Sequence, residues 1–237
     1  MTDHLGLLRQ YLEQAPVVYG YVPQLTAGGG HGNKIAVVLE GGVHALVKPA
    51  SGAQDGLLAV QNEAAAWELA CLLGWGELVA GTVIRDVLPP QSGAPEPAAV
   101  QVMWPGYDWT PAPGSFPEGE TWKAAILDML MLHSDRTNNN WLGVPPAQLP
   151  FPGPVYGSRQ QLKLIDHGFA FDFPGRANLS SSFVDLHRGN PIPADLLQAV
   201  GAGLAQVEAS PVRAILDDMP FERLKARFEG LLQSGSL

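Results

Sequence analysis

The chain has 237 residues, 46% of them hydrophobic, and a formal net charge of -9 from 14 basic and 23 acidic side chains. That length fits one large domain or two small lobes, and the hydrophobic share is enough for a core. The acidic balance excludes the basic face of a nucleic-acid binder, and no Lys/Arg cluster is present to dock on anionic lipid.

A single cysteine, Cys71, forbids an internal disulfide and fits a reducing, cytoplasmic setting. The opening MTDHLGLLRQYLEQ carries early charges and no apolar centre, so it does not read as a signal peptide. The apolar stretch 64–84 contains Glu68 and Glu77, which predicts a buried helix and strand and no stable membrane insertion.

In chain order, 4–14 is an amphipathic helix and 17–22 a first strand. Thr26 to Asn33 is a glycine loop, containing Gly28, Gly29, Gly30, His31 and Gly32. Two β-rich runs, 35–39 and 43–47, flank Glu40-Gly41-Gly42, where glycine supplies the backbone angles of a hairpin turn. Residues 60–73 show helical spacing, with Val60, Ala64, Trp67 and Cys71 on one side. Strands are predicted at 82–87 and 100–103, separated by a Pro/Gly loop over 89–97. A second proline-rich stretch, 105–117, reads as a linker, and a helix follows over 121–132. After the polar loop 133–140 come short strands at 141–144 and 161–165, then two or three helices between 193 and 234. The expected fold class is α+β, two-lobed and protein-kinase-like. It has a β-rich N-lobe at 1–104, a hinge at 105–118 and a mostly helical C-lobe at 119–237.

Asp135 stands five residues before Asn140, and Asp166 follows on an apolar run that turns at Gly168. Phosphoryl transfer from ATP needs one group to orient the nucleophile and oxygen ligands for a divalent cation. Asp135 is the candidate catalytic residue, accepting or orienting the acceptor's hydroxyl proton. Asn140 and Asp166 are the candidate ligands for Mg2+ or Mn2+, supplying a neutral and a charged oxygen. Lys48 would contact the α/β-phosphates, and Glu63 on the next helix would hold it by ion pairing. Gly28, Gly29, Gly30 and Gly32 offer backbone N–H groups to phosphate, with Asn33 or His31 adding a side-chain donor. Val102, Met103 and Trp104 lie where a hinge strand would bind the adenine edge.

Each has a plainer reading: Lys48 as a solvated strand end, the glycines as a surface turn, Asp135 as a turn cap and Asp166 as a turn residue. Trp104 and Trp109 also fit interlobe packing. Arg136 and His133 fit structural bracing, Asn138 and Asn139 turns, and Trp141 the core. An acceptor pocket is expected near 180–190, with Asp185, His187 and Arg188 as contacts.

The run Asp135-Arg136-x-x-x-Asn140-Trp141-Leu142, followed by Ile165-Asp166-His167-Gly168, resembles the phosphatidylinositol 3-/4-kinases, most closely the type II 4-kinases. The N-terminal half resembles a group of bacterial phosphatidylinositol-kinase-like proteins. That likeness rests on Ala45 to Pro49, Asn62 to Trp67, Leu73-Gly74-Trp75 and Thr82 to Asp86, and in all it covers about 26–190. HipA-type kinases are more distant relatives with the same aspartate–asparagine spacing. The resemblance implies a kinase using ATP, with Asp135 catalytic and Asn140 and Asp166 on the metal. His167 departs from the residue usual after the metal aspartate, and a basic lipid-facing loop is lacking.

The acceptor is therefore expected to be a hydroxyl of a protein or small molecule, ahead of a lipid. His133-x-Asp135-x-x-x-x-Asn140 also matches aminoglycoside and choline phosphotransferases, which keeps that substrate class open. Two other readings share the same residues: a pseudokinase acting as a nucleotide-binding interaction module, and an enzyme transferring AMP.

Overall fold

The computed structural model describes residues 3–21, 34–53, 56–88, 94–103, 111–136, 140–144, 160–176 and 178–237. The glycine loop with Gly28, Gly29, Gly30, Gly32 and Asn33, the hinge residue Trp104, Trp109, and Asn138 and Asn139 lie outside the described residues.

Five strands form one antiparallel sheet: β1 (Val17–Tyr21), β2 (Ile35–Leu39), β3 (His44–Pro49), β4 (Thr82–Val87) and β5 (Glu96–Val102), in the order β1-β2-β3-β5-β4. The Glu40-Gly41-Gly42 turn closes the β2–β3 hairpin, with Gly41 and Gly42 at φ +96° and +88°, angles closed to most side chains. Lys48 therefore lies within β3, paired across the sheet with Ala99 of β5. Strand β5 begins at Glu96, four residues earlier than the 100–103 reading. Pro97 is tolerated there because it lies beyond the last residue of β3, Pro49, which pairs with Ala98.

Helix α1 (His4–Gln14) is capped by Asp3, whose carboxylate accepts from the Gly6 N–H. It packs beside β4, and Arg85 of β4 donates to the carbonyls of Leu12 and Ala15 at its C-terminal end. Helix α2 (Leu57–Leu72) is buried along nearly its whole length, from Ala59 to Ala70. The one-sided pattern expected for it is absent because α2 is covered on one side by the sheet and on others by later helices.

Helix α3 (Glu118–Met131) starts three residues before the expected 121. It ends at Leu132, whose left-handed φ of +48° breaks the helix and turns the chain into the 133–136 segment. Strands β6 (Trp141–Val144) and β7 (Gln161–Leu164) form a separate antiparallel pair. The unforeseen short helix α4 (Ser182–His187), then α5 (Ala194–Gln206), α6 (Pro211–Ile215) and α7 (Asp218–Ser234), complete the helical part.

A single apolar core runs through both parts, from Leu12, Val47 and Trp67 to Ile126, Trp141 and Phe228. They are also stitched by backbone: Leu164 N–H donates to Leu78 O at 2.8 Å, and Ala80 N–H donates to Leu164 O at 3.1 Å. This places the end of β7, and the Asp166 that follows, against the segment that leads into β4. No helix among the described residues is long and apolar enough to cross a membrane.

Candidate active site

Lys48 projects from β3 towards α2, where its Nζ ion-pairs with Glu63 Oε1, and it lies 3.4 Å from Asp166 Oδ1. Burial by itself would push Glu63 up, but the Lys48 ammonium, with help from His167, holds it well below the usual carboxylate range. Burial likewise opposes the Lys48 charge, yet Glu63 and Asp166 together raise its pKa. Gln101 Nε2 donates to Glu63 Oε2 at 3.2 Å and to Thr82 Oγ1 at 3.0 Å, so the buried carboxylate is satisfied from both sides.

Asp166 adopts φ +59°, a left-handed turn that Asp enters more readily than most residues. Its carboxylate is drawn below its ordinary pKa by Lys48 first and Lys34 as well. Lys34, just ahead of β2, places Nζ 3.5 Å from Asp166 Oδ2. Lys48 of β3 and Lys34 just ahead of β2 thus meet one carboxylate whose side chain stays 41% exposed.

The 133–136 segment is fixed to the Asp166 turn by His133. The Asp135 N–H donates to His133 Nδ1 at 3.2 Å, so Nδ1 is the acceptor and Nε2 carries the proton to Asp166 O, also 3.2 Å away. Burial first, then Arg136 and His167, push the His133 pKa well down, consistent with that neutral ring. The Asn140 amide donates Nδ2–H to the Asp135 carbonyl, which turns its Oδ1 the other way. Arg136 joins the remaining strands: its Nη1 donates to Asn140 O at 2.6 Å and Ile165 O at 2.7 Å. Its other edge is held by Asp128 of α3, with Nε 3.1 Å from Oδ1, and Ser181 donates to the same carboxylate at 2.7 Å.

Asp135, Asn140, Asp166, Lys48 and Glu63 are therefore brought into one hydrogen-bonded cluster between the sheet and the helical part. His167, fully buried, faces Glu63 with Nδ1 3.6 Å from Oε2 and lies edge-on to His133. Val102 and Met103 close β5, but their N–H groups are used inside the fold, donating to Gly81 O and His44 O at 2.9 Å. The Val102 side chain is core, so what remains for a ligand is at Met103, whose side chain is half-buried. Asp185, His187 and Arg188 are not gathered at Asp135. Asp185 pairs with Arg188 at the surface, 2.6 Å apart, while His187 is buried, stacked on Trp122 and bonded to Thr121. A cavity of about 470 Å³ beside Trp75, Leu78 and Glu120 shares no residue with the cluster.

Among the described residues no group of three or more His, Cys, Asp or Glu side chains is placed to hold a metal. The pair present, one carboxylate and one amide oxygen, fits a hard cation that keeps water and phosphate oxygens in the rest of its shell. Sequence reading missed Lys34, Asp128 and Gln101. Asp128 carried a signal, a lone acid on the buried face of α3. Lys34 and Gln101 sit in short β runs where nothing marks which face is buried.

No family model matches the chain, and no curated protein matches it. Among solved structures it is similar to the Golgi casein kinase, with a TM-score of 0.62 at 14% identity, covering 98% of this chain and 75% of that one. It is also similar to the Golgi casein kinase with Mn/ADP bound, with a TM-score of 0.61 at 14% identity, covering 97% and 74%. Both neighbours are casein kinases, not lipid kinases. At that identity the likeness shows the fold, and the fold is that of a protein-kinase-like α+β protein.

Proposed function

We propose that this protein is an ATP-dependent phosphotransferase that moves the γ-phosphate of metal-bound ATP to a hydroxyl of a protein or small molecule. The observation that supports it most is the closed network joining Asp135, Asn140 and Asp166 through His133 and Arg136, with the Lys48–Glu63 pair against it. The solved neighbour with Mn/ADP adds support for a nucleotide and a divalent cation. The domain plan, an N-lobe at 1–104 and a C-lobe from 119 joined by a hinge, belongs to this proposal. So does kinship with phosphatidylinositol 3-/4-kinases, which rests on the Asp135 to Leu142 and Ile165 to Gly168 runs and on the N-terminal runs named above, with no support from the solved neighbours.

In this reading Lys48 and Lys34 bind phosphate oxygens, and Glu63 keeps Lys48 extended towards them. Asn140 and Asp166 hold Mg2+ or Mn2+, which neutralises phosphate charge when bound. The acceptor oxygen forms a bond to the γ-phosphorus while the bond from that phosphorus to the β,γ-bridging oxygen breaks. ADP leaves with the bond's electron pair, and the hydroxyl proton passes to the Asp135 carboxylate. His133 fixes Asp135 through its backbone N–H and takes no proton itself.

Transfer of labelled γ-phosphate to a panel of protein and small-molecule acceptors tests the proposal, and product mass distinguishes phosphoryl from adenylyl transfer. Asp135→Ala should lower turnover by about 10²–10⁴-fold while Mn-ADP binding persists. Equal turnover in that variant removes Asp135 from the chemistry.

A further inference from the structure

Beside Asp135 lies a cation that the proposed chemistry does not use. Arg176 Nη1 is 4.0 Å from Asp135 Oδ2, and among the described residues no other cation forms an ion pair with Asp135. The guanidinium rests on an aromatic ring. Its Cζ lies over the Phe169 ring, 3.9 Å from the centroid, and Phe169 is braced edge-on by buried Phe173 at 4.8 Å. Its backbone N–H donates to Phe173 O at 3.0 Å, closing a turn in which Gly175 takes φ +76°. Phe169 is anchored in turn, because its carbonyl accepts from Ser134 Oγ at 2.9 Å, one residue before Asp135.

The aromatic ring thus seats the cation, and among the described residues no hydrogen bond uses the N–H groups of its guanidinium. A separation of 4.0 Å is beyond hydrogen-bonding distance, so Asp135 does not occupy those donors. Side chains of Arg176 and Asp135 are 37% and 34% exposed, so both look onto the same open face. Ser180 runs alongside, its N–H donating to His133 O and its carbonyl accepting from the Arg136 N–H.

We propose that Arg176 is an anion-reading subsite of the acceptor pocket. The acceptor class it selects is a compact hydroxyl compound bearing a carboxylate or phosphate two or three bonds from the hydroxyl. This rests on the kinase reading of Asp135. A hydroxyl bonded to the Asp135 carboxylate at about 2.8 Å brings groups two or three bonds away within reach of the Arg176 fork. The chain's net charge of -9 repels anions in general, so a preference for them has to come from a local donor such as this one.

The test is calorimetric titration of the whole chain preloaded with Mn-ADP, using glycerol, glycerate and glycerol 3-phosphate as probes. A seryl peptide flanked by glutamates is a fourth arm. Both compact anions, or one of them, should bind at least about tenfold tighter than glycerol, since a charge-assisted bidentate contact is absent from the neutral probe. Arg176→Ala should erase that preference and Arg176→Lys restore part of it, with melting temperatures matching the parent as the check on folding. The glycerate and glycerol 3-phosphate arms tell carboxylate from phosphate. An anion preference that survives Arg176→Ala, or no preference in the parent, overturns the inference and leaves the kinase reading standing. Tighter binding of the peptide than of either compact anion overturns the compact class. Failure of Mn-ADP to bind at all removes both.

Discussion

Asp128 and Arg136 have no exposed side-chain surface, and everything Arg136 organises depends on their pairing. A buried ion pair is a weak source of net stability, but breaking one leaves an uncompensated charge in the core. Asp128→Ala should therefore cost about 3–5 kcal/mol, read from urea unfolding. It should also abolish transfer activity in the fraction still folded, because Arg136 loses the anchor that holds Asn140 and Ile165 in register. Lys48→Met makes a sharper prediction about Glu63. In the parent Glu63 is held below its unfolded pKa, so its contribution is present above about pH 4.3 and fades as pH falls through the lower folded value. Without Lys48, burial dominates and the folded pKa rises above the unfolded one. The variant's stability should then increase as pH drops from about 7 to 5, a range over which Glu63 contributes no slope in the parent. Denaturant midpoints measured across that range check the sign. A variant with the parent's slope would show that His167 and Gln101 alone can keep the carboxylate ionised.

At the scale of elements, α1 works on α2. Arg9 of α1 grips Glu68 of α2 with both ends of its guanidinium, at 2.7 and 2.6 Å, and lies over the Trp67 ring at 5.3 Å. Glu68 follows Glu63 on the same helix, so α1 braces the element that carries the partner of Lys48. Arg9→Ala should cost about 1–2 kcal/mol, given that the arginine is a third exposed. Hydrogen exchange should report the loss in α2 amides before those of α7. Much of this level was legible in the sequence. The β2–β3 hairpin, β4, α3 and the β6–β7 pair follow from turn glycines, β-branched runs and one clear amphipathic face. The contact of Asn140 with Asp135 was legible because their spacing is local, Asp166 because it ends an apolar run before Gly168, and the Lys48–Glu63 pair because strand and helix are consecutive; the roles given to these residues belong to the proposal. The start of β5 was not, since Pro97 argues for a loop unless the neighbouring strand is known to end at Pro49. Arg176 was invisible for a similar reason. Its partner Asp135 is 41 residues away, counted from their sequence numbers, and its aromatic seat exists only once the turn at Gly175 forms.

Across the whole molecule, the sheet and the helical part meet on opposite charges: two lysines on the sheet side face Asp166. Ligands that engage both sides should tie the parts together. At about a hundred times its dissociation constant, Mn-ADP should add about 2.7 kcal/mol to unfolding, and chelation of the metal should remove most of that gain. Asp166→Ala should show little gain, which thermal melting with and without Mn-ADP will report. The grip of Arg136 carries a last implication for how this protein tolerates change. One guanidinium fastens the residue entering β6 and the residue leaving β7, while Val144 and Gln161 already face each other at the connected end of the hairpin. The stretch joining those strands is consequently not needed to align what precedes and follows it. It is a natural place for insertion, trimming or a purification tag.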